Sequence, residues 1–276
     1  MNKHVLACSL FTLSVSLFGC GGGGGSGSSN SQPADTLVIN SENAPKIAAI
    51  VVAADFTGGL ESGIDDASDF AAIPVQKKYF EALDDGRFER NTTGGGLSVS
   101  CEHNGTVTMD MTSISNDGGV STTFSGTFAF DNCSDDGDFT LNGALSTAGN
   151  SYDHGSRSNS NTSGSVSLRD HYTGKSVTIG DINMSMNIEY GEYNYSQSYY
   201  VSGSMIDDKR FSVMTRQQVS GVVDHAPTAG LLQVNGAEGS GFTIEFDSVG
   251  DGVWIDHTGG RGTYYSYAEL KELAGD

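Results

Sequence analysis

The chain has 276 residues and a formal net charge of −20 at pH 7, because 14 Lys and Arg face 34 Asp and Glu. Such an acidic surface repels nucleic-acid phosphates and gains no attraction from anionic lipid headgroups, so we expect neither as a partner. Cations, basic proteins and neutral sugars are chemically better suited to it.

The first segment in chain order has the layout of a leader. A short basic start leads into an apolar run from Val5 to Phe18, followed by Gly19 and Cys20. The run of about 14 residues is shorter than the roughly 20 that cross a bilayer. This layout is typical of a secretory signal peptide, so we predict that residues 1–19 are removed and Cys20 becomes the N-terminus. An ordinary leader with soluble export is the alternative.

A leader that stops at cysteine resembles the lipobox of bacterial lipoproteins, in which the cysteine sulfur receives a diacylglycerol and the freed amine a third acyl chain. That resemblance implies that a lipidated Cys20 anchors the protein permanently in a membrane. Gly21, which follows the cysteine, resembles lipoproteins that are passed to the outer membrane of Gram-negative bacteria. It leaves open whether the protein faces the periplasm or the surface.

The segment 20–35 consists of the cysteine and a Gly/Ser-rich stretch that follows it. Chains of this composition are flexible coils, so about 14 residues span roughly 20 Å on average. We therefore predict a tether that lifts a single β-rich domain, residues 36–276, off the headgroups.

Helical signals lie mainly near the start of this domain. Pro45 stands in the first turn of a strongly apolar run, which predicts a buried helix over 44–54. A second helix is predicted over 74–84, where apolar residues recur at every fourth position. The segment from Tyr267 to Ala274 is expected to form one or two helical turns.

From Gly96 onward, apolar and polar residues alternate with a period of two, which predicts about ten to twelve antiparallel strands. The clearest example begins at Ile182 and ends at Tyr190. Residues 150–163 are rich in Ser, Asn and Gly and are predicted to form a mobile loop. The apolar face of such a sheet must be shielded from water. We predict a mainly β fold: one large curved antiparallel sheet or partly closed barrel packed on the N-terminal helix, with a sandwich as a further alternative.

The remaining two cysteines, Cys101 and Cys133, are expected in an oxidising compartment. An even pair there predicts a disulfide that closes a loop of about 32 residues and contributes about 3–4 kcal/mol. A metal or catalytic thiol site is the alternative, for which only His103 lies near Cys101.

A tyrosine row is the first candidate binding site. Tyr193, Tyr195 and Tyr199 fall on one face of a predicted strand, where they could stack on a ligand such as a sugar ring. Alternatively, a row of tyrosines stabilises a hairpin without binding anything. Trp254 and the nearby tyrosines, which include Tyr264, make a similar but weaker case.

An acid-rich turn is the second candidate. Clustered carboxylates suit a hard cation, so an irregular calcium site is an alternative, although no EF-hand spacing is present and solvated turn residues are the favoured explanation of the cluster. The four residues are Asp131, Asp135, Asp136 and Asp138. No other cofactor is expected. The sequence contains no G-x-S-x-G, H-E-x-x-H or Walker motif, so we predict no catalytic residues and no enzymatic activity.

Several short motifs occur together with the leader and tether. The first motif begins at Cys101, continues with Asn104-Gly105-Thr106 and ends with Phe130-Asp131-Asn132-Cys133. The others are Asn142-Gly143-Ala144-Leu145 and the pair Gly230-Leu231-Leu232 and Asn235-Gly236-Ala237. In combination, they resemble a loose group of uncharacterised, strand-rich outer-membrane lipoproteins of proteobacteria. The resemblance implies location, disulfide and fold, and carries no activity.

Two functions of different kinds follow from these observations. The first is a membrane-anchored, non-catalytic binding module of the cell envelope, which engages a glycan, an apolar ligand or an envelope protein. The alternative is a structural lipoprotein that spaces envelope components, and a secreted hydrolase-type enzyme without a recognisable motif comes third.

Overall fold

The structure, a computed structural model, describes residues 36–54, 95–116, 120–134, 137–153, 156–223, 225–257 and 262–275. Within these residues the protein is mainly β, with one large antiparallel sheet. The prediction of such a sheet is therefore confirmed. The predicted helix over 74–84 lies outside the described residues, as do the leader and the tether.

Twelve strands form the sheet in the order in which they occur along the chain, so each strand pairs with its sequence neighbours. Strands β1 and β12 form its two edges, and within the described residues the sheet is not closed. The strands are β1 (Gly95–Ser100), β2 (Asn104–Asn116), β3 (Ser121–Ser134), β4 (Phe139–Tyr152), β5 (Arg157–Asp170), β6 (Ser176–Glu189), β7 (Glu192–Gly203), β8 (Lys209–Val222), β9 (Ala229–Asn235), β10 (Gly241–Phe246), β11 (Gly252–Asp256) and β12 (Thr263–Ser266).

The period-two pattern gives the sheet an apolar inner face and a polar outer face. In β10, Phe242, Ile244 and Phe246 are buried, while the side chain of Glu245 between them is exposed. Successive side chains of a strand point to opposite faces, so paired strands with the same alternation build one continuous apolar surface. The core lies on this inner face and is densest in β7–β11.

Two α-helices flank the strands within the described residues, which also contain two short 3-10 helices, Ser204–Ile206 and Ala237–Gly239. Helix α1 (Ala44–Ala53) has Pro45 in its first turn, as the sequence predicts. Helix α2 (Tyr267–Gly275) begins with a capping box, in which the Glu269 backbone N–H donates to the Ser266 hydroxyl oxygen and the Ser266 backbone N–H donates to the Glu269 carboxylate. The backbone N–H and the hydroxyl of Ser266 both donate to the Glu269 carboxylate, and these two hydrogen bonds lower the pKa of Glu269.

The Ser/Asn/Gly-rich segment 150–163 is not a loop inside the sheet, so that prediction is wrong. It contains the end of β4 and the start of β5, which pair continuously from Tyr152 opposite Arg157 to Phe139 opposite Asp170. Both strands also pair with their outer neighbours, β3 and β6. Strand formation here comes from the two flanking strands, which satisfy the backbone groups, rather than from side-chain propensity.

Candidate functional site

The predicted disulfide between Cys101 and Cys133 is present. The two Cα atoms are 5.5 Å apart, inside the usual range for a disulfide. The bridge joins the residue that follows β1 to β3, and therefore ties the first edge of the sheet to its interior. Cys20, the predicted lipidation site, lies outside the described residues.

The predicted tyrosine row lies in the core, so it is not a surface on which a ligand stacks. Tyr193, Tyr195 and Tyr199 do share one face of β7, but they are only 4%, 0% and 3% exposed. The Tyr193 hydroxyl donates to the carbonyl oxygen of His225 at 3.2 Å, and the rings of Tyr193 and Tyr195 are 6.2 Å apart. Rings buried in this way are closed to a ligand, so their burial favours the structural role that the sequence left open.

The acid-rich turn is only partly described. Asp135 and Asp136 lie outside the described residues, and the Asp131 carboxylate accepts a hydrogen bond from the Asn132 side-chain amide at 2.8 Å. Asp138 is half-buried. Among the described residues, no three His, Cys, Asp or Glu side chains form a group that could hold a metal ion. The irregular calcium site remains a prediction.

An aromatic pair, of which Trp254 is exposed and Tyr264 half-buried, lies on the outer face at the other edge of the sheet. Trp254 of β11 and Tyr264 of β12 are direct cross-strand partners, and their ring centroids are 5.3 Å apart at 59°. Trp254 is 38% exposed although its neighbours Val253 and Ile255 are buried. We call Trp254 and Tyr264 the aromatic platform.

Two features hold Tyr264 in place. Its hydroxyl donates a hydrogen bond to the Asp251 carboxylate, which raises the pKa of Tyr264 to about 12. Its ring also lies against Gly252, where an added Cβ would come within 2.6 Å of the phenol oxygen. Because the phenol end of the side chain is hydrogen-bonded to Asp251 and packed over Gly252, the ring is oriented before any ligand arrives.

Carboxylates border the aromatic platform. Glu245 of β10 is exposed and lies directly opposite Trp254, while Asp251 holds the Tyr264 hydroxyl on the other side. An exposed indole face next to two carboxylates offers apolar contact and hydrogen-bond acceptors at one place. This combination suits a ligand that has both C–H surfaces and hydroxyl groups.

A second exposed aromatic group lies at the neighbouring β4–β5 and β6–β7 connections. Tyr152 is 39% exposed and Tyr190, in the turn between β6 and β7, is 70% exposed. The Arg157 guanidinium lies 6.0 Å from the centroid of the Tyr152 ring and donates from Nε to Asp153 at 2.6 Å. That hydrogen bond and the charge of Asp153 raise the pKa of Arg157. We call these four residues the tyrosine corner.

A row of asparagines crosses the outer face beside the tyrosine corner. The cross-strand register aligns one asparagine from each of β4, β5, β6 and β7. They are Asn150, Asn159, Asn187 and Asn194. Asn150 accepts from the Thr123 hydroxyl at 2.9 Å and donates to Asn159 at 3.4 Å, whereas within the described residues the amides of Asn187 and Asn194 make no side-chain hydrogen bond. These two amides are therefore open to an outside partner.

The sequence contained a usable signal for part of this arrangement. Glu189 and Glu192 pair across the Tyr190–Gly191 turn, so Ile188 must stand opposite Tyr193. That register alone assigns Tyr193 to the apolar face. The contact of Trp254 with Tyr264, in contrast, depends on the register between β11 and β12. A longer connection joins these strands, and the periodicity of the sequence does not predict their register.

No protein-family model, no curated protein and no solved structure matches this chain. Its chemistry therefore has to be argued from its own residues.

Within the described part of the chain, none of the helices has the length and apolar character needed to span a membrane.

Proposed function

We propose that this protein is a lipid-anchored lipoprotein of a Gram-negative outer membrane that acts as a non-catalytic binding module of the cell envelope. The leader, Cys20 and the Gly/Ser tether support the anchor. The disulfide between Cys101 and Cys133 agrees with an oxidising compartment.

The ligand that the outer face suits best is a neutral glycan. The observation that carries this proposal is the aromatic platform, where Trp254 is exposed and Tyr264 is fixed against it by Asp251. Aromatic faces cover the C–H side of a sugar ring, and the carboxylates of Asp251 and Glu245 accept hydrogen bonds from its hydroxyl groups. An aromatic surface that is oriented in advance loses little conformational freedom on binding.

Charge supports a neutral rather than an anionic glycan. Among the described residues, the charged groups that we assign to the border of the platform, Glu245 and Asp251, are both carboxylates. At the tyrosine corner, the cation Arg157 is engaged by Asp153, and Glu189 and Glu192 are exposed beside it. Like charges destabilise an encounter, so an acidic polysaccharide is disfavoured at both places.

Calorimetric titration of the full-length protein in detergent with neutral glucan oligosaccharides of the starch, cellulose and laminarin series tests this function. Trp254→Ala should weaken the binding at least tenfold, because a stacking face worth roughly 1.4 kcal/mol or more is lost. Its melting temperature should stay close to that of the wild type, because Trp254 lies on the outer face. Tyr172→Ala is the matched control, since Tyr172 is 72% exposed in the turn between β5 and β6, away from the platform. Equal losses for both variants, or no binding by the wild type, contradict the proposal.

The anchor has its own test. Metabolic labelling with a palmitate analogue should mark the wild-type protein in a Gram-negative host, and Cys20→Ala should abolish both the label and recovery in the membrane fraction. A Cys20→Ala protein that keeps the label would show that another residue carries the acyl chains.

The structural spacer is the second candidate, and the length of the strands favours it. Strands β3 to β6 have 14 residues each, which corresponds to about 48 Å of extended chain. Deletion of the gene followed by complementation with Trp254→Ala separates the two functions. Full rescue of an envelope defect by the variant would favour the spacer over the binding module.

An enzymatic function has less support. The Thr140 hydroxyl oxygen lies 2.5 Å from His171 Nε2, a pairing that can activate a nucleophile. Thr140 is only 7% exposed, so a substrate does not reach it in this conformation. Reproducible turnover of a hydrolase substrate would reverse this preference.

The finer architecture is also a proposal. We propose that the sheet curves around α1, so that the helix covers part of its inner face. The support is a shared core: Ala48 and Val51 of α1 are fully buried in the same cluster as Ile244 of β10 and Val253 of β11.

A further inference from the structure

The turn between β6 and β7 carries an aromatic side chain in a backbone conformation that disfavours it. The two-residue loop consists of Tyr190 with φ 50° and Gly191 with φ 86°. Two-residue hairpin loops with positive φ at both positions are usually Asn-Gly or Asp-Gly, because a larger side chain is strained there. Strained residues of this kind concentrate at binding sites.

The surroundings of Tyr190 do not hide its ring. The Tyr190 backbone N–H donates to the Ser156 carbonyl oxygen at 2.8 Å, which fixes the turn against the β4–β5 connection. The side chain nevertheless stays 70% exposed. Its backbone is fixed and its ring is exposed, so Tyr190 can serve as a preoriented contact at the rim of the outer face.

The tyrosine corner and the aromatic platform belong to the same face of one sheet. Four strand spacings separate β7 from β11, which corresponds to about 19 Å measured across the strands. The two groups are also offset along the strands, because the turn with Tyr190 lies at the Val222 end of β8, whereas Trp254 is in register with Gln217. The open amides of Asn187 and Asn194 lie beside the corner on this face. A single sugar ring cannot reach across that distance, whereas an extended chain of sugars can.

We infer that the ligand of the outer face is a polymeric neutral glycan, which contacts the aromatic platform and the tyrosine corner at the same time. This inference rests on the proposed function and adds a second subsite and a length requirement to it. The platform holds one part of the chain, and Tyr190 with the amides of Asn187 and Asn194 holds another. Two linked contacts bind far more tightly than either one alone when the connecting chain spans the gap.

The experiment compares a short glucan oligosaccharide that covers one subsite with a long one of the same series that reaches both. The wild type should bind the long form at least tenfold more tightly than the short form. Tyr190→Asn should remove most of that gain, whereas Trp254→Ala should weaken the binding of both forms. An anionic polymer, polygalacturonate, should not bind.

Thermal unfolding of the same variant separates binding from structure. Asn-Gly is the favoured pair for this turn, so Tyr190→Asn should raise the melting temperature by a few degrees. If Tyr190 only stabilised the hairpin, its replacement would lower the melting temperature. Tyr172→Asn, in another turn, is the matched control and should leave the gain with length intact.

The outcomes distinguish the two proposals. No binding of any neutral glucan overturns the proposed function and the inference together. Two outcomes overturn the inference and leave the proposed function standing. In the first, the affinity depends on Trp254 but not on the length of the glucan. In the second, the gain in affinity with glucan length is unchanged in Tyr190→Asn. Tighter binding of polygalacturonate than of the glucans overturns the assignment of a neutral ligand.

Discussion

Two parts of the same sheet, β3–β5 and β7–β10, share one hydrogen-bonding pattern and differ in what their side chains contribute. In β7–β10, Tyr195, Val213 and Leu232 are at most 1% exposed and belong to the dense core. In β3–β5, the inner face carries half-buried residues such as Phe128 and Leu145, and Ser, Thr, Asn and Gly supply most other positions.

The difference shows that backbone pairing and apolar burial can be separated along one sheet. Strands β4 and β5 are paired over their full length although few of their side chains are buried. Hydroxyl groups on neighbouring strands also meet, as between Thr162 and Thr147 at 3.3 Å. The core part supplies most of the free energy of folding, and the polar part is held by continuous pairing and by the disulfide.

The largest effect is expected where the core is densest. Replacing Tyr193, Tyr195 and Tyr199 together by Ala removes three buried rings, each worth about 3–5 kcal/mol, which exceeds the stability of most domains. The variant should not fold, as measured by far-ultraviolet circular dichroism. The matched control, Ser125→Ala with Ser163→Ala and Ser185→Ala on the outer face, should melt close to the wild type. A folded triple-tyrosine variant would show that these rings are dispensable to the core.

The disulfide allows the two parts to be compared directly. Cys101→Ser with Cys133→Ser should lower the free energy of unfolding by about 3–4 kcal/mol, because the unfolded chain regains the freedom of the closed loop. Native-state hydrogen exchange should report faster opening of β2 and β3 than of β9 and β10. A uniform acceleration through all strands would mean that the two parts unfold as one unit.

A matched pair of leucines measures the contrast at the level of one side chain. Leu232→Ala, at a fully buried position in β9, should cost about 2–5 kcal/mol. Leu145→Ala in β4 should cost less, because Leu145 is only partly buried and water can fill the space it leaves. Urea unfolding of both variants measures the difference, and equal losses would remove the distinction between the two parts.

The smallest effect concerns the exposed platform. Tyr264 should keep its proton up to a pH of about 12, whereas an ordinary tyrosine titrates near 10.0. Because the folded pKa is the higher one, the stabilising contribution of this hydrogen bond is complete below pH 10.0 and disappears as the pH rises through 12. Asp251→Asn removes the carboxylate and should return the pKa toward 10.0. Nuclear magnetic resonance of the tyrosine ring carbons follows this titration, and an unchanged value in Asp251→Asn would exclude Asp251 as its cause.

The sequence by itself determined the period-two pattern, and with it the antiparallel sheet and the face to which residues such as Ile182 and Met184 belong. It also predicted the pairing of Cys101 with Cys133, since these are the only two cysteines after Cys20. It failed for residues 150–163, because Ser, Asn and Gly form strands only when both neighbouring strands satisfy their backbone groups.

Only the tertiary structure decided which aromatic residues are accessible. Tyrosine has an apolar ring and a polar hydroxyl, so the same residue type is suited to the core, as Tyr195 is, or to the surface, as Tyr190 is. Register across the sheet buries the first of these and leaves the second exposed. The same register places Trp254 against Tyr264, because cross-strand contacts depend on how far each strand is shifted against its neighbour, and no local property of either residue encodes that shift.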